Sequence, residues 1–188
     1  FREVVSQPEA EQAIAAGVDG VIAKGNESGG RVGSETTFVL LQRLCASLQV
    51  PVWAQGGMGP HAAAACHAAG AVGILLRDQL ALAEESSLPE ALRAQIAAMD
   101  GSETACLGEA LGAGFRVHRL RGVATARALN DVERSGANRS QFLGRLHAEL
   151  MNPQGEALLP IGQDAAFAAR LAARHGTVAG ILRAYRRQ

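Results

Sequence analysis

The chain has 188 residues, 48% of them hydrophobic and 19% charged, with 18 basic residues balancing 18 acidic ones. That make-up belongs to a globular domain able to bury a core and excludes a disordered or fibrous chain. Zero formal charge without a Lys/Arg block removes nucleic acid from the partners, no apolar run approaches the roughly 20 residues that span a bilayer, and no secretory n-region opens the chain, which therefore reads as cytoplasmic.

Phe1 to Val5 reads as a strand. Ser6-Gln7-Pro8-Glu9 then spells a capping box, with Ser6 accepting from the Glu9 amide and Glu9 reaching back to Ser6, which opens a helix from about Gln7 to Ala16. Ala15-Ala16-Gly17-Val18-Asp19-Gly20-Val21-Ile22 ends that helix at a glycine and runs into an apolar strand, and Ala68-Ala69-Gly70-Ala71-Val72-Gly73-Ile74-Leu75 writes the same joint again. Glycine suits the left-handed position after a helix, and an apolar run suits a strand buried on both faces of a parallel sheet. Between the joints, a helix from about Glu35 to Leu48 buries Val39, Leu40, Leu44 and Leu48. A strand follows from Val50 to Gln55, and a further helix begins at Pro60, whose missing amide costs nothing in a first turn. Strands at about 1–5, 18–23, 50–55 and 72–76 thus alternate with helices, which implies parallel strands joined by right-handed crossovers and an α/β fold of parallel (β/α) units.

After Leu76 the rhythm changes. Ser87-Leu88-Pro89-Glu90 is a second capping box, opening a helix that stops at Asp100-Gly101, and no element is assigned from there to Gly122. Residues 124–150 carry helical spacing broken at Ser135-Gly136-Ala137-Asn138. Residues 152–162, with Pro153, Gly155, Pro160 and Gly162, read as a loop. A last helical region, 163–187, aligns Phe167, Leu171, Val178, Ile181, Leu182 and Tyr185 on one apolar face and breaks at Gly176.

Two glycine clusters, Gly29-Gly30-Arg31-Val32-Gly33 and Gly56-Gly57-Met58-Gly59, follow the second and third strands. There, glycine lets backbone amides approach a phosphate, and the next helix N-terminus favours the anion. Both clusters also serve as plain tight turns. Lys24, Asn26 and Glu27 sit beside the first loop, at the C-terminal end of a parallel strand, where catalytic barrels place their sites, and are expected to orient a bound ligand or a substrate carbonyl; Lys24 and Glu27 equally make a rim ion pair. The five histidines share no metal-ligand spacing, and Cys45, Cys66 and Cys106 form no CxxC pair, so buried reduced thiols are expected and neither a metal site nor a disulfide framework.

Residues 15–33 and Pro-Val-Trp-Ala-Gln-Gly-Gly-Met-Gly at 51–59 resemble strands six and seven of nitronate monooxygenases (2-nitropropane dioxygenases) and the related FMN-dependent enoyl-acyl carrier protein reductases. The stretch that opens with Pro160-Ile161-Gly162-Gln163-Asp164-Ala165-Ala166 and runs through Ile181 is similar to that family's closing Gly-Gln segment and final helix. The order of motifs implies strands five to eight. Residues 1–122 would then form the C-terminal half of a TIM-type (β/α)8 flavin-binding barrel, and residues 123–188 a helical C-terminal extension closing it. A whole barrel takes about 250 residues and this chain opens at Phe1, so a longer parent is expected, with a missing N-terminal half-barrel or a second chain as partner. The stretch from Ala23 to Phe38, with Asp100-Gly101-Ser102-Glu103-Thr104, most resembles barrel domains of polyketide or polyunsaturated fatty acid synthases.

Carried over position by position, the resemblance implies that Gly29, Gly30, Gly56 and Gly57 hold the phosphate of FMN, with Lys24 and Arg77 beside it and Arg31, Asn26 and Glu27 toward phosphate or substrate. Two positions depart from the family. The catalytic His of its Gly-Gly-His segment is Arg31 here, and an arginine stays protonated and cannot be a general base. Its Gly-Thr pair after the eighth strand is Arg77-Asp78, where Arg77 offers a phosphate an ion pair and Asp78 repels it. Arg31 is expected to point its guanidinium into the mouth of the site and to bind rather than catalyse, and no catalytic residue is assigned. The resemblance thus implies an FMN-dependent oxidoreductase, an enoyl reductase using NAD(P)H rather than a nitronate monooxygenase, with an acyl carrier protein or acyl thioester as partner. The alternatives are a catalytically silent scaffold or docking barrel of a multienzyme and a flavin-free phosphate-binding barrel.

Overall fold

The computed structural model describes residues 1–152, 154 and 156–187. Pro153 and Gly155 of the expected 152–162 loop lie outside them. In chain order the elements are β1 (Arg2–Val4), α1 (Gln7–Ala15), β2 (Val21–Lys24), β3 (Gly30–Arg31), α2 (Thr37–Ser47), β4 (Val52–Gln55), α3 (Pro60–Ala68), β5 (Gly73–Leu75), α4 (Glu90–Ala97), β6 (Thr104–Leu107), β7 (Phe115–His118), α5 (Val123–Arg134), α6 (Arg139–Leu150), α7 (Ala168–His175) and α8 (Val178–Arg186).

Strands β1, β2, β4 and β5 form one parallel sheet in that order, with Lys24 opposite Gln55 and Gln55 opposite Leu75. The spatial order never reverses. Ala10 and Ala13 of α1, Leu40, Leu41 and Leu44 of α2 and Cys66 of α3 share one core with Val4, Val21, Ala23, Val52 and Ala54. All three crossover helices therefore lie on one face, which makes the sheet singly wound and curls it toward a barrel. Each fully buried leucine contributes about 1.5–3 kcal/mol, and cutting Leu44 to Ala would cost about 2–5 kcal/mol. Because side chains alternate along a strand, Ile22, Lys24, Trp53, Gln55 and Leu75 share the opposite, inner face. Strands β1 and β5 are the sheet's two edges.

Three local expectations need correction. Helix α2 starts at Thr37, and its 3.6-residue period buries Thr37, Leu40, Leu41 and Leu44 while leaving Val39 about half exposed. At α1, Ser6 Oγ accepts from the Glu9 amide (3.4 Å), but the Glu9 carboxylate reaches one residue further back than a capping box requires, to the Val5 amide (3.1 Å). The box at Ser87 does not form: Pro89 is the N-cap of α4 and makes no side-chain cap bond.

The stretch that sequence leaves unassigned holds β6 and β7, an antiparallel pair that joins β3 in a second sheet of order β3-β7-β6. Helices α5 and α6 cover it, burying Leu129, Phe142 and Leu146 against Leu107 and Val117. Helices α7 and α8, separated at Gly176 (φ 67°), return to the parallel sheet and pack Leu171, Ile181 and Tyr185 against Ala63 of α3. No helix among the described residues is long and apolar enough to cross a membrane.

Candidate functional site

The C-terminal end of β4 is fixed before it turns. The Gln55 carbonyl accepts from the Gly25 amide (3.0 Å), Ser28 Oγ (3.1 Å) and Thr37 Oγ1 (2.9 Å), which ties β4 to the loop after β2 and to the start of α2. Gly56 (φ 112°) and Gly57 (φ 65°) then turn the chain in the left-handed region that side chains disfavour, and a Cβ on Gly56 would lie 2.5 Å from Ser28 Oγ.

The carbonyls of Gly57 and Met58 are both engaged. That of Gly57 accepts from the Gly59 amide (3.1 Å), and that of Met58 accepts from the Tyr185 hydroxyl (2.6 Å) and Gln79 Nε2 (3.1 Å). Burial, and then the nearby Asp164 carboxyl, push the Tyr185 phenol well above its ordinary range, so it stays a donor. Among the described residues the Gly57 and Met58 amides have no acceptor. Helix α3 follows at once, with Gly59 as N-cap and no side-chain cap bond. Free amides in a glycine turn that leads into an uncapped helix N-terminus form a nest for an anion.

The other expected residues are placed differently. Gly29 is packed rather than open, since a Cβ there would lie 2.7 Å from the Ile161 backbone, and Gly30 pairs with Arg116 in the second sheet. Of the two clusters, the Gly56-Gly57 loop is the one whose unclaimed amides lead directly into an uncapped helix. Lys24 is buried at the end of β2 and bonds Glu3 (3.1 Å), not Glu27. The Glu27 carboxylate caps α2, accepting from the Thr37 amide (3.0 Å) and lying near Thr37 Oγ1 (3.0 Å), and it borders the nest 3.5 Å from where a Gly57 Cβ would stand. Asn26 closes its own loop, donating from Nδ2 to the Ser34 carbonyl (3.0 Å) and from its amide to Glu35 (2.9 Å).

Neither arginine presents a free fork to the nest. Arg77 donates from Nη1 to the Gly29 carbonyl (3.2 Å) and from Nη2 to the Pro160 carbonyl (3.0 Å), clasping the segment at 160 onto the first glycine loop. Arg31 turns back over the end of β1, gripping both oxygens of Glu9 (3.1 and 2.9 Å) and the Glu3 carbonyl (3.3 Å), in a cleft of about 450 Å³ that Gly56 and Gly57 do not line. The expected orientation into the mouth of the site fails because Glu9 captures the guanidinium. Burial alone would raise the Glu9 carboxyl, but the bonds from Arg31 and the Val5 amide outweigh it and hold the group below its ordinary value.

Sequence reasoning missed the buried polar layer behind the nest. Asp78 accepts from the Gly162 amide (2.6 Å), and Asp164 Oδ2 accepts from Gln79 Nε2 (2.9 Å) while its Oδ1 has no partner. Burial, followed by the charge of Asp78, raises the Asp164 carboxyl to about 7; burial also raises Asp78, against the pull of Arg77 and Gly162. Gln55 belongs to the same omission: it is a polar residue inside a buried strand, and that mismatch was the available signal.

The profile of the nitronate monooxygenase family matches residues 2–137. The chain belongs to the nitronate monooxygenase family. Among curated proteins, a dehydrogenase of an octahydro-indene carboxyl-CoA from Rhodococcus jostii (strain RHA1) is 35% identical over 78 residues, covering 41% of this chain and 22% of the relative. FabK from Thermotoga maritima superposes with a TM-score of 0.75 at 26% identity, over 98% of this chain and 60% of that one. A nitroalkane oxidase from Streptomyces ansochromogenes gives 0.66 at 23% identity over 98% of this chain and 58% of that one, and the enoyl reductase domain of MlnA from Bacillus amyloliquefaciens gives 0.59 at 12% over 90% and 55%; both share the fold. The chain spans at most about three fifths of the length of each of these relatives. Its four parallel strands are part of a (β/α) barrel, and a helical extension follows them.

Proposed function

We propose that the intact protein is an FMN-dependent oxidoreductase that reduces the activated alkene of an acyl thioester with NAD(P)H, within a polyketide or fatty acid synthase. When bound, FMN supplies the hydride transfer. The Gly57 and Met58 amides and the first turn of α3 fit its phosphate, and Tyr185 and Gln79 keep that loop in shape by holding the Met58 carbonyl. A second half-barrel completes the site along the open edges of β1 and β5. The Rhodococcus relative, named for a carboxyl-CoA substrate, supports a thioester.

One observation carries the choice of reaction. At the position where the resemblance places a catalytic base stands Arg31, permanently charged and gripped by Glu9. Proton abstraction from a nitroalkane needs a base, whereas hydride delivery to an alkene does not need one at this position. A silent scaffold is the second reading, favoured by the commitment of both Arg31 and Arg77 to protein acceptors.

The full-length protein, loaded with FMN and mixed anaerobically with NADPH, should lose its flavin colour and regain it on addition of an enoyl thioester, whereas a nitronate, itself an electron donor, should not bleach the oxidised flavin in the absence of NADPH. Anaerobic bleaching of the oxidised flavin by a nitronate but not by NADPH would reverse the choice of reaction, and bleaching by neither would favour the scaffold.

A further inference from the structure

The inner face of the parallel sheet carries a polar group that the chain leaves unanswered. Gln55 is 5% exposed, and among the described residues its Oε1 receives no hydrogen bond. Its position is fixed, because three donors hold its own carbonyl and the strand register sets Lys24 on one side and Leu75 on the other. The Lys24 ammonium, the donor that this register brings beside it, is turned to Glu3 (3.1 Å), and leucine has nothing to give. A buried acceptor without a donor forfeits the hydration it had in the unfolded chain and recovers nothing for it.

The next residues are Gly56 and Gly57. Two or three residues of extended chain cover at most about 7–11 Å, so the unanswered oxygen lies within one small ligand's reach of the free amides at Gly57 and Met58. We infer that Gln55 is a ligand-binding residue whose Oε1 accepts a hydrogen bond from the flavin that the Gly57-Met58 loop holds by its phosphate. The inference rests on the proposed flavin site. Flavin offers two classes of donor, the ribityl hydroxyls and the ring imide N–H, and the short span from the phosphate nest favours a hydroxyl.

The test uses Gln55→Met and Gln55→Leu in the full-length protein, with FMN, an FMN analogue lacking one ribityl hydroxyl and FMN methylated at the imide nitrogen as probes. Loss of one such bond should weaken FMN binding about tenfold in both variants. The apoprotein should melt at the same temperature as the wild type or higher, since an unsatisfied acceptor has been removed. Wild type should bind the deoxy analogue about as weakly as the variants bind FMN, and the variants should no longer distinguish the two; discrimination against the imide-methylated probe instead would keep Gln55 as the acceptor and move its donor to the ring. FMN binding unchanged in both variants would overturn the inference while leaving the flavin reading intact. So would apoprotein melting lowered by several degrees, which would make Gln55 a structural residue. A wild-type protein that takes up no FMN would overturn both.

Discussion

Replacing Asp164 by Asn should flatten the pH dependence of stability. The carboxyl is 5% exposed, one oxygen accepts from Gln79 and the other has no partner, and burial with the neighbouring Asp78 raises it from 3.8 to about 7. The folded protein therefore keeps a proton that the unfolded chain releases near pH 4. Stability from this group is fully present below about pH 4 and is lost as the pH rises through about 7. At about 1.4 kcal/mol per unit, the rise of about three units corresponds to about 4 kcal/mol at its largest, and local relaxation around a charged Asp164 brings the expected difference to about 2–4 kcal/mol between pH 4 and pH 8. Asparagine keeps an oxygen for Gln79 and carries no charge. Urea unfolding at pH 5 and pH 8 reads the effect: the wild type should lose stability between the two, and Asp164→Asn should lose much less and be the more stable protein at pH 8. Equal pH slopes in the two proteins would refute the assignment of a buried, proton-retaining Asp164.

Gly57→Val puts a branched side chain at φ 65°, beside Glu27 and against the free amides, and should abolish FMN binding measured by fluorescence quenching; retained affinity would remove the nest as the phosphate site. Arg31→Ala deletes a partly exposed ion pair with Glu9, so stability should fall by less than about 1 kcal/mol and FMN affinity should stay within about twofold, as chemical unfolding and a flavin titration will show. A loss of tenfold or more in affinity would return Arg31 to the ligand site.

The parallel half of the fold was legible because its signals are local. Each αβ joint, such as Ala15 to Ile22, carries its own helix stop and its own apolar strand within a few residues. The second sheet was not legible: β6 and β7, four residues each, are no shorter than the parallel strands, but no helix stop leads into them and β3 finds its partner only far along the chain, Gly30 opposite Arg116. The two glycine loops read alike for the same reason. What separates them is Ile161, which covers Gly29 from far along the chain, while Tyr185 and Gln79 hold the other loop by its Met58 carbonyl. Arg31 shows the same limit, because the carboxylate that captures it lies 22 residues back, at Glu9. Lys24 likewise had a nearby partner in Glu27 by sequence but takes Glu3, a diagonal neighbour on the adjacent strand, where Glu3 faces Ile22.

The central proposal is that the Gly57-Met58 nest belongs to a flavin site completed by a second half-barrel. The most direct measurement is the visible spectrum of the full-length protein after incubation with FMN and removal of free flavin. About one FMN retained per chain, with bands shifted from those of free FMN, is the predicted result. A colourless protein that releases all added FMN would contradict the proposal.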